Sequence, residues 1–460
     1  MQHESFYHAL NVNSDQCTGC THCMIKCPTS AIRIRDGKAS IRKDWCVDCG
    51  ECMKVCPVDA IYVAQDDFSN IFQFNCRVVL VPAVFFGLFP DTISDEQIYA
   101  VLYEIGFTHV YQVEQTSDII TRRFIEEQAK HSEKPLISSF CPAIIRLIQV
   151  RFPSLVDHIV RVKPPIDATS ILYKRMLIEQ GIPEKEIGLF YVTPCAAKIA
   201  AVKSPVGEKE SVSNGVINMD FLYNKVLQIL NQHPDPQRGQ DIVLSPIPAK
   251  GVLWSLTHGE ADRMNGRCLA IDEIHNVIDF LERLETTDDI KDVDFLELRA
   301  CDESCAGGVL MPRNRFLVVE RLRKKAFEMK EGSIVNDPAY QSALNYLEDN
   351  LALEEIHPRG MNAFGTNMEQ ALKKMQQVRN MMCYLPGIDC GACGAPNCLS
   401  LAEDITRREA KLSNCVFLHR MMEKQGKIGC DHAIRIIETT WGKDRLEKNC
   451  RKKDAGNESE

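Results

Sequence analysis

ACDESCAGGVL (Ala300–Leu310) sets two thiols, Cys301 and Cys305, on a turn that ends in the glycine pair Gly307 and Gly308. Two further segments resemble it in kind: SSFCPA carries Cys141 and VTPCAAK carries Cys195, each behind an apolar strand-like run and each beside a proline. Proline fixes the local backbone and removes a donor, while paired glycines let the chain approach a bulky object closely. Strand-to-turn corners that present thiols to one bulky object imply an iron–sulfur cluster.

Working outward toward the N-terminus, CTGCTHCMIKCP and CVDCGECMKVCP are two copies of C-x2-C-x2-C-x3-C-P. Thiolates at this spacing wrap three corners of a cubane, and in two-cluster ferredoxins the fourth cysteine of each run serves the other cluster. The spacing therefore assigns Cys17, Cys20 and Cys23 with Cys56, and Cys46, Cys49 and Cys52 with Cys27. Zinc is the competing ligand for paired cysteines, but two complete copies with Pro28 and Pro57 in place favour cubanes. The runs AIRIRDGKASI and AIYVA between and after them read as short β segments.

The chain has 460 residues, too many for one core, and should divide into two to four domains. Its 21 cysteines stand mostly in tight spacings and no charged-plus-apolar leader precedes them, which favours metal ligation over disulfides and a cytoplasmic protein. The longest apolar run, Val78–Phe89, falls short of the roughly 18 residues a spanning helix needs and contains Pro82. A net charge of −9 gives no basic footprint for nucleic acid.

From Val78 to about Phe316 strand-like and helix-like segments alternate. VVLVPAVFF, HVYQV, PLISSF, IGLFYVTP and IVLSPIP read as buried strands; Glu96–Ile105, Asp118–Lys130, Asp167–Gln180, Met219–Asn231 and Ile271–Leu284 read as helices. Such alternation predicts an α/β domain with mostly parallel sheets, whose ligand sites lie at the carboxyl ends of the strands. Cys141 and Cys195 fall there. The expected organisation is an α+β two-cluster ferredoxin-like domain over 1–75, the α/β domain over 76–320, a helical linker over 321–378, a small helical [4Fe-4S] domain over 379–420, and a helical or disordered tail over 421–460.

SFCPA, TPCAAK and ACxxxCxGG in this order, behind a two-cluster ferredoxin segment, resemble the signature segments of the [FeFe]-hydrogenases over roughly residues 1–320. The resemblance implies that Cys141, Cys195, Cys301 and Cys305 hold a [4Fe-4S] cubane. It also implies that Cys305 bridges to a diiron subsite carrying carbon monoxide, cyanide and a dithiolate, the two parts together forming an H-cluster. Lys198 matches the lysine that donates to a cyanide ligand in that family; the alternative is a solvated lysine at a helix start. LPGIDCGACGAPNC with Cys415 spaces Cys390, Cys393, Cys398 and Cys415 as C-x2-C-x4-C-x16-C, which resembles the [4Fe-4S] domain of Rnf-type electron-transport subunits and several sensory hydrogenases; zinc is the main rival for this set.

Departures from the family pattern are specific. Phe140 stands where active members place a proton-donating cysteine, and Arg122–Phe124 fall where relay glutamates are expected. Thr193 and Arg299 replace methionines, and Glu303 and Ser304 replace small glycines before the bridging cysteine. Glu260, in GVLWSLTHGEA, is an available carboxyl for a substitute proton route, although an exposed helix-turn glutamate is the plainer reading. Cys76, Cys268, Cys383, Cys430 and Cys450 have no matching spacing and read as buried or incidental thiols.

The resemblance implies a sensory or slow [FeFe]-hydrogenase-like oxidoreductase, interconverting H2 with protons and electrons and exchanging electrons with a redox or signalling partner. The alternative is a non-catalytic iron–sulfur electron-transfer or cluster-assembly protein without the diiron subsite. Complete ferredoxin cysteines favour the first; Phe140, Glu303 and Ser304 favour the second.

Overall fold

The computed structural model describes residues 6–131, 134–233, 247–286, 292–329, 337–359 and 368–443. Most of the strand expected at IVLSPIP, the thiol Cys450 and the tail over 451–460 lie outside the described residues. Two units are present: Met1–Ala9, Val47–Gly50 and Val63–Pro358 form one, and Leu10–Cys46, Glu51–Tyr62 and Arg359–Glu460 form the other.

The first unit is an α/β fold built on two sheets. Four parallel strands run in the order His109–Gln112, Cys76–Val81, Ile187–Thr193, Gly215–Asn218. Three more, also parallel, run Cys268–Ile271, Phe295–Leu298, Leu136–Ile137. Every residue of Ile187–Thr193 is buried, as a strand covered on both faces requires. Helices Asp95–Ile105 and Met219–Gln232 share the core of the larger sheet, and Pro142–Arg151 and Ile274–Thr286 share that of the smaller.

Some sequence expectations are corrected here. The run read as one strand to Phe86 ends at Val81, because Pro82 opens a short helix, Ala83–Phe86, whose last turn closes with Gly87 donating to the Ala83 carbonyl. PLISSF contributes only Leu136–Ile137 to the ladder. Gly215–Asn218, Cys268–Ile271 and Phe295–Leu298 are strands that their short patterns do not announce; pairing with neighbours distant in sequence defines them.

In the second unit the antiparallel hairpin Ile32–Arg35/Lys38–Ile41 carries the ferredoxin-like part. The C-terminal part has its own apolar core of Val378, Leu385, Leu401 and Ala402 around the thiols of Cys393, Cys398 and Cys415. Its helices are Met368–Met382, Cys398–Thr406, Val416–Lys424 and Cys430–Trp441.

Candidate metal centre

Three corners of the α/β unit deliver the thiols. Cys141 caps the helix Pro142–Arg151 and Cys195 caps Ala196–Lys203, both at carboxyl ends of strand segments. Cys301 and Cys305 follow the strand Phe295–Leu298. Two of the corners are fastened to each other, since Leu310 donates to the Pro194 carbonyl at 3.0 Å, and Cys305 is held by donating its backbone N–H to the Ser255 carbonyl at 3.1 Å. A side chain at Gly308 would place its Cβ 2.3 Å from the Pro194 oxygen, so only glycine admits this approach. Burial pushes the Cys195 thiol up to about 12, with Cys305 and Cys141 among the neighbours that raise it.

Lys198 is buried, not solvated. Its Nζ lies 3.3 Å from Cys305 Sγ and 4.6 Å from the Phe140 ring centroid. Burial opposes its charge, yet Cys305, Tyr191 and Cys195 outweigh this and hold its pKa above the ordinary lysine value. A cavity of about 10 Å³ beside it is lined by Pro82, Val113, Glu114, Phe140, Tyr191 and Trp254.

Glu260 is not an exposed helix-turn residue, because a cation is buried with it: Glu260 is 1 % exposed and its Oε2 lies 2.8 Å from Arg299 Nη2. Ser138 Oγ donates to the same oxygen at 2.7 Å. Arg299 also pairs with Glu297 at 3.1 Å, and Glu297 accepts the backbone N–H groups of Glu260 and Ala261. Burial raises the Glu260 carboxyl to about 7 against the pull of Arg299. Ser138 Oγ accepts from the Phe140 backbone N–H at 3.1 Å, so this network reaches the residue next to Cys141. By contrast, Arg122 is exposed and pairs with Glu348, while the half-buried Arg123 pairs with Glu126 and Glu127.

Glu114 was not singled out by its sequence context. Both its oxygens accept from the Ala83 backbone N–H at 2.9 Å, and burial raises the carboxyl to about 7. Its place just past the strand His109–Gln112 is the only signal the sequence offers, since sites cluster at such ends. Glu297 had a clearer one: it is a lone carboxylate in the apolar strand FLEL, two residues before Arg299 and therefore on its face.

In the second unit Cys17, Cys20, Cys23 and Cys56 line one cavity together with Ile34, Ala39 and Ile61. Burial and the neighbouring Cys20, Cys17 and Cys56 push Cys23 up to about 12. Cys27, Cys46 and Cys52 belong to the same unit, whereas Cys49 packs in the α/β core that also holds Cys141 and Cys195. In the C-terminal part, Gly391 and Gly394 adopt positive φ of 71° and 75° and turn the loop so that Cys393 lies near Cys390 and Cys415. Asp389 anchors the loop by accepting from the Cys398 backbone N–H at 2.7 Å. Cys76 is buried away from these sets, Cys268 is half-buried, and Cys383 and Cys430 are exposed.

The donor sets suit iron–sulfur cubanes: the described cysteines are free thiols, grouped at glycine-rich turns. Beside Cys305, one fixed ammonium among mostly apolar walls, which also include the buried Glu114 carboxyl, suits an anionic group with uncharged diatomic ligands.

Residues 71–221 match the family described as iron only hydrogenase large subunit, C-terminal domain; residues 9–63 match the 4Fe-4S dicluster domain and residues 385–417 a putative Fe-S cluster family. The periplasmic [Fe] hydrogenase large subunit of Nitratidesulfovibrio vulgaris is 31 % identical over 212 residues, covering 42 % of this chain and 50 % of that protein. An NADP-reducing hydrogenase subunit of Solidesulfovibrio fructosivorans is 23 % identical over 200 residues, covering 41 % and 31 % respectively. The chain thus spans half or less of the length of these relatives. A solved [FeFe]-hydrogenase from Chlamydomonas reinhardtii superposes with a TM-score of 0.43 at 16 % identity, over 62 % of this chain and 94 % of that one. With a hydrogenase large-subunit segment, a dicluster segment and a further cysteine segment all matched, the comparisons support a likeness to the [FeFe]-hydrogenases.

Proposed function

We propose that the protein is a slow, sensory-type [FeFe]-hydrogenase-like oxidoreductase that interconverts H2 with protons and electrons and passes the electrons to a partner protein. The observation that carries this reading is the buried pair of Lys198 and Cys305, 3.3 Å apart. Cys141, Cys195, Cys301 and Cys305 would hold a [4Fe-4S] cubane, and Cys305 is the thiol that would also attach the diiron subsite of an H-cluster. When bound, that subsite supplies the binding and heterolytic cleavage of H2. Lys198 donates to its anionic ligand, and Pro82, Val113, Phe140 and Trp254 exclude water. Phe140 has no exchangeable proton, so the carboxyl of Glu260, joined to the Phe140 backbone through Ser138, holds the proton that a cysteine would otherwise carry. Cys17, Cys20, Cys23 and Cys56, then Cys46, Cys49, Cys52 and Cys27, then Cys390, Cys393, Cys398 and Cys415 ligate three accessory [4Fe-4S] clusters.

A second reading, an electron-transfer or cluster-assembly protein without the diiron subsite, is favoured by the tight space at Lys198. Of two cavities that its side chain borders, one is about 10 Å³, room for roughly one water, and the other about 50 Å³. Infrared spectroscopy of protein matured with a synthetic diiron precursor separates the two. Bands from bound carbon monoxide and cyanide, lost in Cys305→Ser and kept in Cys17→Ser, support the hydrogenase reading. Their absence from the unsubstituted protein leaves the second.

A further inference from the structure

We infer that the C-terminal cysteine set exchanges single electrons directly with the first ferredoxin set, and that Asp404 is the positioning residue for this junction. The inference rests on the reading of Cys390, Cys393, Cys398 and Cys415, and of Cys17, Cys20, Cys23 and Cys56, as ligands of [4Fe-4S] clusters.

Asp404 lies on the helix that starts at the ligand Cys398, and it is 1 % exposed. Its carboxylate accepts from Arg33 at 2.7 and 3.1 Å, from Arg35 at 2.9 Å and from Arg42 at 2.7 Å. All three arginines belong to the ferredoxin hairpin or the residue just past it. Such a cluster is costly to bury and costly to break, because removing the carboxylate leaves unpaired cations out of water. It therefore fixes one geometry.

That geometry presses the two ligand loops together. Ile34, a wall of the cavity shared by Cys17, Cys20, Cys23 and Cys56, donates its backbone N–H to the Gly394 carbonyl at 2.9 Å. Gly394 directly follows the ligand Cys393, whose own carbonyl accepts from Arg35 at 3.3 Å. A Cβ on Gly394 would stand 2.3 Å from the Ile34 oxygen, and one on Gly391 would stand 3.1 Å from the Met24 methyl, the residue after Cys23. On the other side of the hairpin, Asp36 and Gly37 donate to the Thr439 and Thr440 carbonyls at 2.8 and 3.0 Å, and Trp441 Nε1 donates to the Ala392 carbonyl at 3.1 Å. Both ends of the loop are thus clamped.

One hydrogen bond between residues adjoining the two ligand sets is a short path for tunnelling. Each transfer oxidises one cluster by one electron and reduces the other by one, with no proton moved and no bond made or broken.

The test uses the full-length protein with its clusters reconstituted anaerobically, without any diiron precursor, and reduced for electron paramagnetic resonance. The unsubstituted protein should show magnetic coupling between the two reduced clusters. Cys415→Ser should lose about four irons of sixteen and remove that coupling, leaving only the coupling within the ferredoxin pair. Asp404→Asn should keep its iron and lose the coupling, with Asp404→Glu restoring part of it. If Asp404→Asn loses iron instead, the Cys415→Ser comparison decides. A signal from the Cys17 set unchanged when the C-terminal iron is gone overturns the junction. No loss of iron in Cys415→Ser overturns the ligand reading beneath it. Neither result bears on the diiron subsite, which infrared bands report separately.

Discussion

The guanidinium of Arg299 lies over the ring of Phe140, 3.7 Å from its centroid. Two departures from the family pattern are therefore one feature. A cation stacked on an aromatic face gains attraction when desolvated, and Lys198 approaches the same ring. Phe140 is held between two cations, and Arg299 is held by the ring, Glu260 and Glu297.

Arg299→Met should destabilise the fold by roughly 3–5 kcal/mol at neutral pH, since it leaves Glu260 and Glu297 buried without their cation. Lowering the pH to 5 should shrink this loss, because the orphaned Glu260 carboxyl, already raised by burial, is then protonated. Urea unfolding at the two pH values measures it, and Arg299→Met combined with Glu260→Gln should recover part of the deficit. Equal losses at both pH values would mean that packing, not charge, dominates.

At matched diiron occupancy, Phe140→Cys should raise hydrogen evolution, by no more than the roughly 10²–10⁴-fold that a general acid contributes. Glu260→Gln should lower the unsubstituted rate within the same range. A rate indifferent to Glu260→Gln would remove Glu260 from the proton route. A rate indifferent to Phe140→Cys would place the obstruction elsewhere.

Ser304→Gly should stabilise the protein by about 1–2 kcal/mol. Ser304 adopts a positive φ of 54°, and its buried Oγ has no hydrogen-bond partner among the described residues. Strained left-handed residues cost about 1–3 kcal/mol, partly offset by the entropy that glycine loses on folding. The denaturation midpoint reads the change; a lowered midpoint would show that the hydroxyl has a partner in the holo protein.

Glu114 predicts a pH dependence. Its folded-state pKa, raised by burial to about 7, exceeds the unfolded value of about 4.3, so the folded state binds more protons between them. The native state therefore loses stability as pH rises from about 4.3 to about 7, and the loss is complete above that window. Glu114→Gln should abolish that dependence and gain about 2–3 kcal/mol on the unsubstituted protein between pH 5 and pH 8. Parallel stability curves for the two proteins would show that Glu114 stays ionised throughout, paired with Lys198.

Short-range spacing determined much of this molecule. C-x2-C-x2-C-x3-C-P, the C-x2-C-x4-C-x16-C run and the turn at Ala300–Leu310 are each local in sequence, so their spacing alone marks the candidate ligands. The alternation of apolar runs with helical segments likewise specified parallel sheets, because covered strands must be apolar on both faces. Tertiary structure alone decided the rest. Whether Glu260 meets water or Arg299 depends on residues 39 positions apart, and Asp404 meets Arg33 across 371 positions. A glutamate on a turn carries the same local signal whether it is solvated or paired in the core. Only the packing that excludes water and supplies the opposite charge distinguishes the two.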